Sequence, residues 1–302
     1  MEVVLVRAGA LGDVLLLRRA VAALRRSGHR VRLVAPAAAA AALVGPGPSE
    51  VEAALPWDGP EAAALLAGEP GTGALAKALE TADLVVAFTR DPEIARALGR
   101  VARRVVARDP APPTKGPHAS VWLAGALAGC GVAWDETLPP DLCFVAEERA
   151  EASRRLAALP PGFVAVHPGS GSASKNWPAD RFLEMAERLS HGVPFLLCVG
   201  PAELERGLAA GAPRSAVVAR AWPVRVLGAA LSRASLYLGN DSGVSHLAAA
   251  AGAPTLALFG PTDPRLWSPV GRVVRTLRGP DARPQSVAAE EVWRAALELV
   301  RG

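Results

Sequence analysis

Cysteine is scarce in this 302-residue chain: Cys130, Cys143 and Cys198 are its three, widely spaced. They form no metal-ligand pattern, and an odd count without a secretion signal argues against a disulfide framework. Lysine is equally rare, with Lys77, Lys115 and Lys175 alone, so nearly all the positive charge is arginine. Aromatic residues are 5% and scattered, which argues against a nucleic-acid surface, because that needs basic side chains clustered with stacking rings. No stretch runs 18 apolar residues without a charge, so no transmembrane helix is expected. The apolar segment Val3–Leu17 is interrupted by Arg7 and Asp13 and has no basic segment before it. It reads as a strand and a helix and not as a signal peptide, and the expected location is the cytoplasm. The net charge of +4 suits an anionic partner, including peripheral contact with the inner membrane surface.

Three nucleotide-chemistry motifs are missing as well. There is no G-x-G-x-x-G after the first strand, which discounts a nicotinamide enzyme. No Gly-Lys-Ser/Thr completes a Walker A loop. No D-x-D acidic pair and no His/Cys/acid cluster has metal-ligand spacing, so no metal site is expected.

What is present is a long alternation of short β-branched runs with Ala-rich helical segments. Strands are expected at Glu2–Val6, Val31–Ala35, Val51–Leu55, Asp83–Phe88 and Arg104–Ala107. After a Pro-marked stretch, Leu138–Asp141, a second series follows at Phe163–His167, Phe195–Val199, Ala216–Ala219, Leu236–Gly239 and Thr255–Phe259. The pattern predicts two α/β domains, residues 1–145 and 146–302, each a doubly wound parallel sheet. Helices are expected from Asp13 to Gly28, at Glu147–Leu159, Ala179–Ser190, Val224–Ala234 and Val244–Ala251, and at Val287–Val300, which could pack back on the first domain. Open sheets of this kind bind ligands at the carboxyl ends of their strands, so a cleft between the domains is the expected site.

Four constellations follow strands. The first is Arg7-Ala-Gly-Ala-Leu-Gly12-Asp13, where glycines allow close approach and Asp13 is either an acid facing substrate or a helix-start carboxylate. The second is His167-Pro-Gly-Ser170 leading to Lys175-Asn-Trp-Pro178, a small-residue loop with one ammonium, fit for a phosphate or simply solvated. Trp177 reads as packing. The third is Gly239-Asn-Asp241-Ser242-Gly243-Val-Ser-His246, which opens a helix whose free N–H groups suit an anion. Asp241 there orients the loop or meets a sugar hydroxyl, and His246 is a phosphate contact or a buried structural histidine. The fourth is Phe259-Gly-Pro-Thr262-Asp-Pro264, a polar turn.

In this order the four motifs resemble glycosyltransferase family 9, the ADP-heptose heptosyltransferases. The likeness is dense at both ends of the chain and specific over Phe163–Trp267, and loose from about Gly45 to Val145. The resemblance implies a GT-B architecture of two Rossmann-like domains, the first for acceptor and the second for donor. It implies metal-independent, inverting transfer of a sugar, heptose by resemblance, from a nucleotide sugar (ADP-linked above all) to a cell-envelope glycolipid or glycan. No further cofactor is implied. Asp13 then matches the general base, Lys175 the phosphate-binding lysine, and Ser170, Asp241, Ser242, Gly243, His246 and Thr262 the donor loops. Gly12, Asp13 and His118 fall on the acceptor side. A nucleotide-sugar epimerase of the same fold and a non-catalytic nucleotide-sugar binder are the competing functions.

Overall fold

Two all-parallel sheets organise the chain in a computed structural model that describes residues 1–302 apart from 70, 206, 208–211 and 302. Contacts divide it into units Met1–Cys143 and Phe144–Gly302. The first unit holds β1 (Glu2–Val6), β2 (Arg30–Ala35), β3 (Ala53–Pro56), β4 (Leu84–Phe88) and β5 (Val105–Arg108), in the order β3-β2-β1-β4-β5. The second holds β6 (Val164–His167), β7 (Phe195–Val199), β8 (Ala216–Arg220), β9 (Leu236–Asn240), β10 (Thr255–Phe259) and β11 (Val274–Arg278), in the order β11-β10-β9-β6-β7-β8. Central strands such as β4, β7 and β10 are buried at every residue, as parallel strands covered on both faces must be.

Strand β11 is the one the sequence pattern did not offer. Its sequence, V-R-T-L-R, carries two arginines, and only Leu277 is buried. An edge strand needs apolar character on one side only, and β11 pairs with β10 from Thr255↔Val274 to Phe259↔Arg278. At β3 the strand begins later than expected, at Ala53, because Val51 instead forms an isolated bridge with Val44.

The helix expected from Asp13 is two helices. Leu11–Leu15 and Arg18–Arg26 flank a turn at Leu16 and Leu17, and the chain leaves through Gly28 at φ 73°. Asp13 is therefore the third residue of a short helix and not its first. Beyond the turn, Arg18 is 1% exposed, with its guanidinium donating to the carbonyls of Pro139 and Pro140. Arg19 donates to the Thr137 carbonyl. The helix after the unit boundary, Ala146–Arg155, ends four residues earlier than its apolar pattern suggests, and Pro160-Pro161-Gly162 follow with Gly162 at φ 67°.

The second unit's core packs Phe182, Phe195, Leu197, Leu238 and Leu258 around Trp177. The final helix, Ala289–Arg301, contributes Val292, Ala295 and Ala296 to that core and lies on β9, β10 and β11 of its own unit. Among the described residues no helix is long and apolar enough to cross a membrane.

Candidate active site

Strand order decides where ligand loops can gather. In the first unit the winding reverses between β1 and β4; in the second it reverses between β6 and β9. At such a switch point the loops leaving two adjacent strands diverge and open a crevice at the carboxyl edge. The first constellation leaves β1, and the second and third leave β6 and β9.

At the β1 edge, the carboxylate of Asp13 is held by two donors. Arg7 Nη2 lies 2.5 Å from Oδ1, and the Ala10 N–H donates to Oδ2 at 2.9 Å. The second bond satisfies the N-cap N–H of the helix Leu11–Leu15 from its third residue, the acid's half of a capping box. Arg7 is nearly buried, with its side chain 10% exposed against 30% for Asp13, so the pair presents the carboxylate and hides the cation. A methyl group on Gly9 would stand 2.6 Å from Asp13 Cβ, so this glycine is required by the aspartate packed against it. Gly12 lies half-buried in the same short helix and accepts from the Leu16 N–H at 3.1 Å. His118 lies in the same unit. It caps the helix Ala119–Ala124, Nδ1 accepting from the Ser120 N–H at 3.2 Å.

At the β6–β9 crevice the two loops are bonded to each other. Lys175 Nζ donates to Asp241 Oδ2 at 2.7 Å. Asn240, the fully buried last residue of β9, holds both ends of the lysine loop: its Nδ2 donates to the Pro168 carbonyl at 2.8 Å, and its Oδ1 accepts from the Trp177 N–H at 2.9 Å. Within the loop, Ser170 donates to Asn176 Oδ1 at 2.6 Å, and Gln285 Nε2 donates to the Asn176 carbonyl at 2.7 Å. Trp177 is wholly buried, edge-on to Phe182 at 5.1 Å, with Nε1 donating to the Val287 carbonyl. It anchors the loop by packing.

Ser242 is the N-cap of the helix Gly243–Ala250, and its Oγ accepts from the Ser245 N–H. The N–H groups of Gly243 and Val244 precede the first bonds back to the Ser242 carbonyl, from the Ser245 and His246 N–H groups, so they remain for an anion. His246 is 7% exposed, one turn into that helix. Thr262 lies half-buried in the bend after β10; beside it Asp263 caps the helix Pro264–Trp267, and the Arg265 guanidinium holds its carboxyl below the usual carboxylate range. A cavity of about 260 Å³ adjoins the lysine loop, lined by Gly169, Asn176, Pro178, Glu203 and Gln285 among others. Glu203 is 6% exposed and occupies the space that a side chain on Gly169 would need. Among the described residues no three His, Cys, Asp or Glu side chains are grouped to hold a metal ion.

Three positioning residues were not singled out in the sequence: Arg7 as the partner of Asp13, Asn240 as the clamp on the lysine loop, and Glu203 beneath Gly169. Asn240 had a signal. A polar residue closing an apolar strand, L-Y-L-G-N, is buried, and a buried amide must find partners.

Two parallel-sheet units, each with a polar constellation at its switch point, define a Rossmann-like α/β class of protein. The chain belongs to glycosyltransferase family 9 (heptosyltransferase), whose model matches residues 133–292. It is similar to lipopolysaccharide heptosyltransferase 1 of Pseudomonas aeruginosa, 38% identical over 125 residues, a stretch covering 39% of this chain and 35% of that relative. The fold is that of the glycosyl transferase family 9 structure from Veillonella parvula, with TM-score 0.81 and 20% identity over 99% of this chain and 97% of the other. The E. coli heptosyltransferase WaaC solved with ADP superposes with TM-score 0.74 at 22% identity, over 99% of this chain and all of that one. These likenesses bear out the two-domain GT-B fold expected from the sequence.

Proposed function

We propose that this chain is an inverting, metal-independent glycosyltransferase that moves a sugar from a nucleotide-diphosphate donor to a hydroxyl of a cell-envelope glycolipid or glycan. The observation that carries the reading is the Lys175–Asp241 pair at the start of the helix Gly243–Ala250. It puts an ammonium and two free N–H groups at one switch point, a setting for a diphosphate. Family membership and the ADP in the E. coli WaaC structure favour an ADP-sugar, with heptose as the sugar.

In this mechanism the acceptor oxygen attacks the anomeric carbon as the bond from that carbon to the diphosphate oxygen breaks. The departing nucleoside diphosphate takes the electron pair, and Lys175 with the Gly243 and Val244 N–H groups stabilises its charge. Asp13 takes the hydroxyl proton. Each of its oxygens accepts one bond in the resting protein, leaving lone pairs for the incoming hydroxyl. A base so placed supplies about 10²–10⁴-fold. One displacement inverts the anomeric centre, and no metal is required because the cationic and N–H groups stand where one would act. The nucleoside end of the donor extends into the cavity between Gly169 and Gln285.

The test is release of nucleoside diphosphate from ADP-, UDP-, GDP- and dTDP-sugars with and without acceptor, in EDTA. Release that depends on acceptor and survives EDTA supports the proposal. Conversion of the nucleotide sugar to its epimer without net release points to an epimerase, and binding without either reaction to a non-catalytic binder. Activity lost in EDTA and restored by magnesium overturns metal independence.

A further inference from the structure

We infer that Arg108, laid on the face of Trp122 at the carboxyl edge of the first sheet, binds an acidic group of the acceptor, a carboxylate or a phosphate. Arg108 is the last residue of β5, and its guanidinium carbon lies 3.6 Å from the centroid of the Trp122 ring. The ring is itself fixed, since Trp122 Nε1 donates to the Asp109 carbonyl at 2.7 Å. Stacking holds a planar fork of N–H donors in place without using those donors.

The donors of Arg108 are the unusual feature. Its Nε is shielded from solvent and has no hydrogen-bond partner, as holds among the described residues for Arg7 and Arg18 too, but those two guanidiniums bond through Nη2 to Asp13 and to the Pro139 and Pro140 carbonyls. Burial lowers its pKa from the usual guanidinium value, and no carboxylate acts against that. Its neighbours along the edge are paired: Arg7 with Asp13, and Arg90 with Asp109 at 2.8 Å. Asp109, next in sequence, also accepts from the Ala111 N–H, so it is committed away from Arg108. On the other side, Gly125 leaves the space beside Arg108 Nη2 without a side chain. A half-buried, immobilised and unneutralised guanidinium is costly unless an anion completes it.

Register places this group relative to the proposed base. Val6 pairs with Ala87, and Phe88 with Arg108, so Arg7 and Arg108 end at the same level two strands apart. At the usual strand spacing that is about 10 Å. An acceptor whose hydroxyl meets Asp13 would therefore carry its acidic group on the order of 10 Å away, along the edge of the same sheet. Naming the acceptor as the source rests on the glycosyl-transfer reading; the anion site itself does not.

The experiment is an NMR titration of the Arg108 Nε–H signal, assigned by its loss in Arg108→Lys, in a Lys175→Ala chain that lacks the other phosphate site. Inorganic phosphate and glucuronate should move the signal saturably, and ADP should not. Arg108→Ala and Arg108→Gln, the second keeping a planar group over the ring, should weaken phosphate binding by about tenfold or more at an unchanged melting curve. A signal that stays in place through both titrations overturns the site. A signal that ADP moves as strongly as phosphate overturns the assignment to the acceptor. Phosphate binding at Arg108, with no sugar transfer by the chain that keeps Lys175, would keep the anion site and remove the transferase reading.

Discussion

Lys175 and Asp241 are 66 residues apart in sequence and 2.7 Å apart in the structure, joined as the lysine ammonium donates to Asp241 Oδ2. The lysine side chain is 33% exposed and the aspartate 9%, so the carboxylate is the fixed member and the ammonium the accessible one. Without ligand, Asp241 holds the ammonium at the helix start. In the proposed reaction the donor diphosphate would share or take it.

Lys175→Ala is expected to weaken nucleoside diphosphate binding by about 10–150-fold, the roughly 1.5–3 kcal/mol of a charged hydrogen bond. It should also destabilise the fold, because Asp241 is left nearly buried without its cation. Asp241→Asn should rescue part of that loss, giving a coupling of about 0.5–3 kcal/mol in a double-mutant cycle. Calorimetry with ADP and denaturant unfolding of the three variants measure both effects. Affinity unchanged in Lys175→Ala would confine the lysine to a structural role.

Asp13→Asn separates catalysis from donor binding. The amide retains one acceptor oxygen but gives up the charge that pairs with Arg7 and the basicity that a proton transfer needs. Turnover is expected to fall by about 10²-fold or more at nearly unchanged donor affinity. Asp13→Ala should in addition lose roughly 0.5–2 kcal/mol with the cap. An Asn variant of normal turnover would leave Asp13 as a cap alone.

Gly9→Ala tests the same carboxylate from its other side. The new methyl group collides with the Asp13 side chain, so the aspartate or the turn must move. The expected result is slower transfer with donor affinity intact, read from steady-state kinetics beside ADP binding. Full activity would show that Asp13 tolerates displacement and argue against its role as a positioned base.

Asn240→Ala should act on the lysine loop from beneath. It leaves the Pro168 carbonyl and the Trp177 N–H without their buried partner, at about 1–3 kcal/mol for each group. Thermal unfolding should shift down, and ADP affinity should fall although Asn240 is fully buried. Reduced stability with unchanged affinity would mean that the loop keeps its shape without the clamp.

His167 predicts a pH dependence. Burial lowers its pKa from 6.5, against the opposing pull of the Cys198 carbonyl that Nδ1 faces at 3.0 Å. The folded protein keeps the ring neutral, while the unfolded chain takes up a proton below about 6.5. Its contribution to stability is therefore present above that pH and is lost as pH falls below it, by up to about 1.4 kcal/mol per unit. His167→Gln should flatten this slope in unfolding curves between pH 7 and 5. An identical slope in the variant would assign the loss to other groups.

Much of the fold was legible because parallel strands covered on both faces are continuous apolar runs, as β4, β7 and β10 are, and the edge strands β3, β5 and β8 keep short apolar runs of their own. β11 was not legible, since V-R-T-L-R breaks its apolar residues with two arginines. The motifs after β1, β6, β9 and β10 were visible as Gly-, Ser- and Asp-rich breaks where a strand yields to a helix. Local sequence could also mark Asp13 as a helix-start acid, because capping depends on neighbours within one turn.

The pairings needed the tertiary structure. Strand order sets β6 beside β9, and nothing in the chain across a separation of 66 residues encodes that Lys175 meets Asp241. The same holds for Asn240 reaching Pro168 and Trp177, and for Arg108 lying on Trp122 without a carboxylate partner. Sequence by itself determined which residue types stand at each strand end, through propensity and hydrophobic period. Which of them touch, and that Arg108 stands without a carboxylate partner, was decided by sheet order and side-chain packing, since those contacts exist only once distant segments share one edge.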